Sequence, residues 1–338
     1  MGISVVMATY NRRDLLDRVL RPLLDDPATD ELVVVVDGYD DGSIEYLREL
    51  AQSEPRLRPI WIENSGAVKA QQTGVEAATG EVVLVIDDDV LADPGLVSGH
   101  ARHHEQADDP GLVVVGYMPT PKPEKRGPGS FTSFLYHDVY EYRCASWEEG
   151  APVLRGLWGG NVSLNREALL AADGIGGRYV LPYHYDWELG LRLQRCGLYG
   201  RFDRALSATH LHSRSYEAFR RECRAQGRAF WLIDHMHRAV ITEDQIQKRF
   251  DDRRPLLRWF LVATDRPRIY KVGTTVIDAA VRAAGKLNLT VTERRLASLL
   301  GHVERRRGEY EGSVVYGHPV RWEPPFTVPA RGDRAPSV

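Results

Sequence analysis

Cysteine is scarce. Cys144, Cys196 and Cys223 are the only three in 338 residues, and no two form a C-x-x-C pair. This excludes a disulfide framework and gives no sign of a thiolate zinc site. No apolar run reaches 18 residues, so no membrane-spanning helix is expected. The first residues enter a strand pattern without a basic segment ahead of an apolar one, so no signal peptide is expected and the default location is cytoplasmic. In that compartment the sequons at Asn161 and Asn288 carry little weight. Positive charge is not in excess either: 44 Lys and Arg stand against 47 Asp and Glu, a net charge of −3. That argues against a general nucleic-acid binder. Two phosphate-binding signatures are missing as well. There is no G-x-x-x-x-G-K-[ST], which a P-loop NTPase needs, and no G-x-G-x-x-G after the first strand, as a nicotinamide enzyme would have.

What is present reads as an ordinary globular protein of one large or two modest domains, with 43% hydrophobic and 27% charged residues. Apolar strand-like runs lie at 3–8, 32–36, 59–62 and 82–86. Helical patterns lie between them at 12–24, 43–51 and 68–78. This alternation predicts an α/β fold with a mostly parallel sheet flanked by helices, whose ligands sit beyond the carboxyl ends of the strands. A Pro- and Gly-rich segment (117–129) and an aromatic-rich one (131–147) read as loops over a site. Residues 154–174 read as a loop, a short strand and a helix, and a further helix starts near Asp186 and stops at Gly197. From about residue 215 the pattern is mostly helical, including 270–287 and 291–309, and the last twenty residues, with five prolines, read as irregular.

The least ordinary stretch is "EVVLVIDDDV" (81–90), in which a buried-looking strand runs into Asp87, Asp88 and Asp89. Three adjacent carboxylates repel one another. At the ligand edge of a sheet they suit Mg²⁺ or Mn²⁺, which prefer oxygen donors and bridge to phosphates. A solvated turn is the plain alternative. Asp37, just past the second strand and across from Thr9, is either a turn residue or an acceptor for the N–H groups of a nucleotide base. Lys69, near the start of the third helix, either meets a diphosphate or is solvated. Asp186 and Glu188 open a helix, where carboxylates often cap or meet the dipole. His210 and His212 ("ATHLHSRS") have the H-x-H spacing that puts two imidazoles on one side of an extended segment. They are metal ligands or surface residues.

Taken together, "ISVVMATYNRRDLLDRVLRPLL", "ELVVVVDGYDDGS" and "NSGAVKAQQTGVEAATGEVVLVIDDDV" resemble the N-terminal half of a family 2 glycosyltransferase with the GT-A fold. "WGGNVSLNREAL" and "YHYDWELGLRLQRCG" resemble that family's acceptor-loop and catalytic-base segments, in the expected order. The resemblance covers roughly residues 1–215. It implies a GT-A domain over 1–215, and the pattern beyond it gives a helical region over 216–318 and an irregular tail over 319–338. It further implies that Thr9, Tyr10, Asp37, Lys69 and Asp88 meet the nucleotide, and that Asp87 and Asp89 form the D-x-D metal element with His210. Trp158, Gly159, Gly160, Asn161 and Glu188 would border the sugar and acceptor, and Asp186 would be the catalytic base. Phe131, Phe134, Tyr136 and Tyr140 stack on a sugar or belong to the core.

The implied activity is inverting transfer from a UDP-, dTDP- or GDP-linked sugar to a hydroxyl acceptor (a glycan, a lipid-linked glycan or a small natural product), with Mn²⁺ or Mg²⁺. A sugar nucleotidyltransferase, or a non-catalytic binding module on the same fold, are the rivals. The sequence departs from the family pattern twice. Tyr185 stands where a Glu commonly precedes the Asp, and Gln71–Gln72 replace an expected Arg-Asn pair. The basic stretch 247–260 reads as a contact with the inner face of a membrane, a homodimer surface or a solvated face.

Overall fold

The computed structural model describes residues 2–124, 130–212, 214–238, 240–241, 255–317 and 321–325. Strand β1 (Ile3–Thr9) leads through α1 (Arg13–Leu24) to β2 (Thr29–Asp37) and α2 (Ser43–Ser53), then to β3 (Leu57–Ile62), α3 (Ala67–Ala77) and β4 (Val82–Ile86). These four strands pair in parallel in the order β3-β2-β1-β4. The Val- and Leu-rich runs of β1, β2 and β4 have no polar face because helices cover both sides of the sheet there, whereas the edge strand β3 is partly open. In β4 all five residues are buried.

The chain continues as β5 (Val90–Ala92), α4 (Leu96–Ala107), β6 (Leu112–Tyr117), α5 (Phe131–Glu148), β7 (Asn161–Asn165), α6 (Arg166–Ala171), α7 (Tyr185–Arg195) and β8 (Tyr199–His210). Strand β7 is antiparallel to both β4 and β6, β6 is parallel to β8, and β5 is antiparallel to β8. The result is an eight-stranded sheet, β3-β2-β1-β4-β7-β6-β8-β5, that stays mostly parallel because only the insertions around β7 and β5 reverse direction. None of β5, β6 and β8 is among the elements expected from the sequence.

The segment 131–147 corrects an expectation: it lies in an 18-residue helix, Phe131–Glu148, and is not a loop. Tyr140, Cys144 and Trp147 recur at i, i+4 and i+7 and bury one face. Beyond the sheet come α8 (Tyr216–Met236), α9 (Pro255–Ala263), α10 (Pro267–Lys286) and α11 (Thr290–Tyr316). Most of the basic stretch 247–260, up to residue 254, lies outside the described residues, as does the tail from 326 onward. Within the tail, Trp322 is 1% exposed. Its indole N–H donates to Asp173 Oδ2 at 2.8 Å, and the Arg195 guanidinium lies 5.0 Å from its ring. This part of the segment expected to be irregular is docked on the α/β domain.

Strand register assembles one chemical edge. Thr9 pairs with Val36, so Asp37 lies one residue beyond it. Ile86 pairs with Asn161 across an antiparallel ladder, which sets Asp87 against Gly160. Val90 pairs with His210, which brings Asp89 beside the end of β8.

Candidate active site

At the end of β1, the buried Thr9 hydroxyl donates to Asp88 Oδ2 at 2.8 Å. Tyr10 is 47% exposed and lies 5.2 Å from the Tyr39 ring. Two open aromatics at the strand ends form a surface on which a base can stack. Asp37 is 3% exposed, and its two oxygens accept from the backbone N–H groups of Ser65 (2.7 Å) and Gly66 (2.9 Å). It therefore clamps the loop that opens α3. A carboxylate has about four lone-pair sites, so it retains capacity for a base N–H. Lys69 is exposed on the first turns of α3.

The three aspartates diverge. Asp87 Oδ1 accepts from Gln71 Nε2 at 3.2 Å, and burial together with the charge of Asp89 pushes its proton affinity up to about 7. Asp89 is 6% exposed. Burial raises its proton affinity, but His210 and Arg12 outweigh that and hold it below the usual carboxylate range. Its Oδ1 lies 3.1 Å from His210 Nε2, and its Oδ2 accepts from Arg12 Nη2 at 3.2 Å. His212 stacks on His210, ring centroids 5.1 Å apart. One donor atom each from Asp89, His210 and His212 lies within 4.8 Å of the others. The buried Nε2 of His212 has no hydrogen-bond partner among the described residues. Burial, and then the charge of His210, depress its proton affinity to about 4, so its ring is neutral near pH 7. An orphaned neutral imidazole nitrogen beside a histidine and a carboxylate fits a divalent cation.

Across the cleft, Asp186 is the second residue of α7. Its Oδ2 accepts from Gly159 N–H at 2.9 Å, and its Oδ1 from Trp187 N–H at 2.8 Å. Burial raises its proton affinity against the pull of those two bonds. The neighbouring Gly160 has φ +96, and a Cβ there would stand 2.5 Å from Asp87 Oδ2. Only glycine takes that backbone conformation without strain and allows the contact. One glycine thus touches the base candidate and the next touches the D-x-D element. Gln71, Tyr185 and Asp186 line the same pocket as these glycines, with Val85, Leu157 and Ile175 below.

Residues 4–169 match the sequence model described as glycosyl transferase family 2. The N-terminal part of the chain is thus similar to members of that family. Over 120 residues it is 36% identical to an uncharacterized glycosyltransferase of Nostoc sp., covering 35% of this chain and 36% of the relative. Over 186 residues it is 28% identical to the glucosyl-dolichyl phosphate glucuronosyltransferase of Haloferax volcanii, covering 52% and 56%. The chain thus matches these curated relatives over about a third to just over half of their lengths. Among solved structures, a mannosyltransferase of Pyrobaculum calidifontis in complex with GDP-Man and Mn²⁺ superposes with a TM-score of 0.55 at 16% identity, covering 90% of this chain and 86% of that one. At that identity the likeness is one of fold, and the fold is of the GT-A type.

The two departures from the family's pattern meet in space. Tyr185 and Gln71 line the same pocket, and Gln71 also bonds Asp87. Two neutral residues thus stand where the resemblance implies an acid and an arginine. Gln72 has a separate task, accepting from Ile175 N–H at 2.8 Å.

Two expected acceptor residues face elsewhere. Asn161 is buried, with Oδ1 2.9 Å from His100 Nε2 and Nδ2 donating to Leu206 O, so its side chain braces the sheet. Glu188 is 1% exposed. It accepts from Arg192 Nε at 2.8 Å and lies 2.9 Å from His237 Nε2. Arg192 in turn donates to the carbonyls of Ala172, Gly174 and Ile175. Two residues along α7 is more than half a turn, which takes Glu188 off the Asp186 face. Of the aromatics, Phe131 and Tyr140 are core: Phe131 packs edge-on against Tyr216 and Phe219, and Tyr140 is 1% exposed. Phe134 and Tyr136 are partly buried, and Tyr136 lies between Trp158 and the two histidines at the site. His184 stacks on Phe230. Arg12, Gln71 and Tyr185 line the candidate site without having been assigned to it, and His212, weighed beside His210 as a ligand, joins them.

The Glu188 network gives a stability prediction. Glu188→Gln leaves a buried Arg192 without its counter-charge and is expected to cost about 3–5 kcal/mol, read by chemical denaturation. In the native protein Glu188 holds its charge below its ordinary value of 4.5 because Arg192 and His237 outweigh the burial cost. Its contribution is therefore complete above about pH 4.5 and is lost as the pH falls through the lower folded value. Glu188→Gln should flatten that acid limb. An unchanged limb would remove Glu188 as its cause.

Proposed function

We propose that the chain is an inverting, metal-dependent glycosyltransferase that moves a sugar from a nucleoside-diphosphate donor to a hydroxyl acceptor. The observation that carries this reading is the Gly159–Gly160 pair, which packs against Asp186 on one side and Asp87 on the other. A general base and a diphosphate-side carboxylate cluster then flank one small opening, as a single in-line displacement needs.

Thr9, Tyr10, Asp37 and Asp88 form the nucleoside end, with Tyr39 beside Tyr10 as a stacking surface. Asp89, His210 and His212 would hold the divalent ion, with Asp87 nearby. When bound, the ion supplies Lewis-acid stabilisation of the departing diphosphate. Asp186 takes the acceptor proton as the oxygen attacks the anomeric carbon from the opposite face, so the configuration inverts. Its raised proton affinity suits a base working near neutral pH. Trp158 and the two glycines border the acceptor. The GDP-Man and Mn²⁺ of the Pyrobaculum calidifontis mannosyltransferase occupy the same fold and support a donor of this class.

The test is incubation of UDP-, dTDP- and GDP-sugars with Mn²⁺ and a panel of hydroxyl acceptors (glycans, lipid-linked glycans and small natural products). Nucleoside diphosphate released with an inverted product supports the reading. Pyrophosphate released from a nucleoside triphosphate supplied with a sugar 1-phosphate would mean a nucleotidyltransferase, and no release from any of these substrates would mean a binding module.

The histidine pair sets the metal preference. An N,N,O donor set favours Mn²⁺ or Co²⁺ over Mg²⁺, which prefers oxygen. With a nucleoside diphosphate present, Mn²⁺ is expected to bind more tightly than Mg²⁺. His212→Ala should erode that advantage by more than about tenfold, since even outer-shell partners cost that much. Titration calorimetry with each ion reads it. An unaltered Mn²⁺ affinity would leave His212 as a packing partner of Tyr136.

A further inference from the structure

We infer that the outer face of the α9–α10 hairpin docks on an anionic lipid surface. Four large apolar side chains are open there: Trp259 (78% exposed) and Val262 on α9, Val272 and Val276 on α10. Among the described residues the exposed positions of α9 are 255, 258, 259 and 262, a helical stripe, and those of α10 run 267, 268, 271, 272, 275, 276, 279, 282, 283 and 286. The two stripes adjoin, since a Cβ on Gly273 would touch the Phe260 ring at 3.5 Å. The opposite faces are committed. Leu261, Ile277 and Val281 are buried with Tyr216 and Phe219 of α8, so the stripe is surplus to the core.

The charge around the stripe has one sign. Arg266, Arg268, Lys271 and Lys286 are exposed and stand outside any ion pair among the described residues. The only two acids between residues 255 and 287 are already engaged: Asp265 by Arg306, and Asp278 by Arg220 and Arg282. A protein of net charge −3 has therefore gathered a cationic rim around an exposed tryptophan and three valines. An amphipathic face of this composition suits the headgroup boundary, where Trp and aliphatic side chains enter and Lys and Arg meet lipid phosphate. No described helix is long and apolar enough to cross a membrane, so the contact is peripheral. A second copy of the chain fits less well. A two-fold interface would set the same unpaired cations against one another with no acid to meet them.

This inference holds whether or not the chain transfers sugar. The full chain is sedimented with vesicles of phosphatidylcholine alone and of phosphatidylcholine with phosphatidylglycerol. Binding is expected only to the anionic vesicles and should fall as salt is raised. Each cation near such a surface contributes about a factor of five. Arg268→Glu with Lys271→Glu is therefore expected to lower the partition coefficient by at least about 25-fold, and Trp259→Ser to lower it at every salt concentration. All three positions are exposed, so circular dichroism should match the native protein. Absent binding, equal binding to neutral vesicles, or full binding by both variants would overturn the inference. A native dimer, seen by analytical ultracentrifugation and abolished by Trp259→Ser, would overturn it in favour of self-association.

Discussion

Asp186→Asn is expected to lower sugar transfer by about two to four orders of magnitude while donor and metal binding stay near native. The amide matches the carboxylate in size but cannot take up the acceptor's proton. The geometry also predicts a smaller structural effect. The Asp186 carboxylate accepts two backbone N–H groups, from Gly159 and Trp187, and an asparagine has one oxygen to offer them. Losing one such bond costs about 1 kcal/mol. Two to four orders of magnitude in rate correspond to about 3–5 kcal/mol of barrier, so the chemical loss exceeds the structural one. Initial rates at saturating donor, set beside donor affinity from calorimetry, separate the two. If transfer continues within about tenfold of native while thermal stability falls, Asp186 is a brace for the glycine loop and the base lies elsewhere. Glu188 is then no substitute, because both its oxygens are held in the buried network with Arg192 and His237.

Much of this site could be read from the sequence because its residues follow apolar strands. A run such as Val82–Ile86 marks its own end, and in a parallel sheet all such ends share one edge, so Thr9, Asp37 and Asp87 converge without any long-range information. Residues whose role depends on a partner far along the chain were harder to place. Arg12 meets Asp89 across 77 positions, and Gln71 shares a pocket with Tyr185 only once α7 has folded back over the sheet. The two departures from the family's pattern were visible singly, but their convergence on one pocket was not. Glu188 and Asn161 show the opposite error. Each neighbours a site residue in sequence, yet helix rotation and the β7 ladder turn both side chains away from the opening. The helix Phe131–Glu148 was hidden by its aromatics, which serve three different neighbours and so blur the periodic stripe. Tyr140, Cys144 and Trp147 still held the i, i+4, i+7 spacing.

Asp89→Ala is expected to abolish metal-dependent nucleotide binding. Loss of an outer-shell partner weakens a metal site by about 10–100-fold, and removal of a direct carboxylate ligand should exceed that. The position is set by strand register. Val90 pairs with His210, so Asp89 ends beside the histidines whatever nucleotide is present. The same substitution relieves repulsion in the metal-free protein, because the charge of Asp89 raises the proton affinity of Asp87. It also leaves Arg12 and His210 without their shared acceptor. These opposing effects make the metal-free stability of the variant a poor readout. The response to ion is the clean one. Adding Mn²⁺ with a nucleoside diphosphate should raise the melting temperature of the native protein by mass action and leave that of Asp89→Ala unmoved. Asp88→Ala provides the contrast. Its carboxylate is turned to the Thr9 hydroxyl, so the ion response should persist while nucleotide affinity weakens. Equal Mn²⁺-dependent shifts in native protein and Asp89→Ala would remove Asp89 from the metal site, leaving its contacts with Arg12 and His210 as a structural tie between the β1–α1 turn and the end of β8.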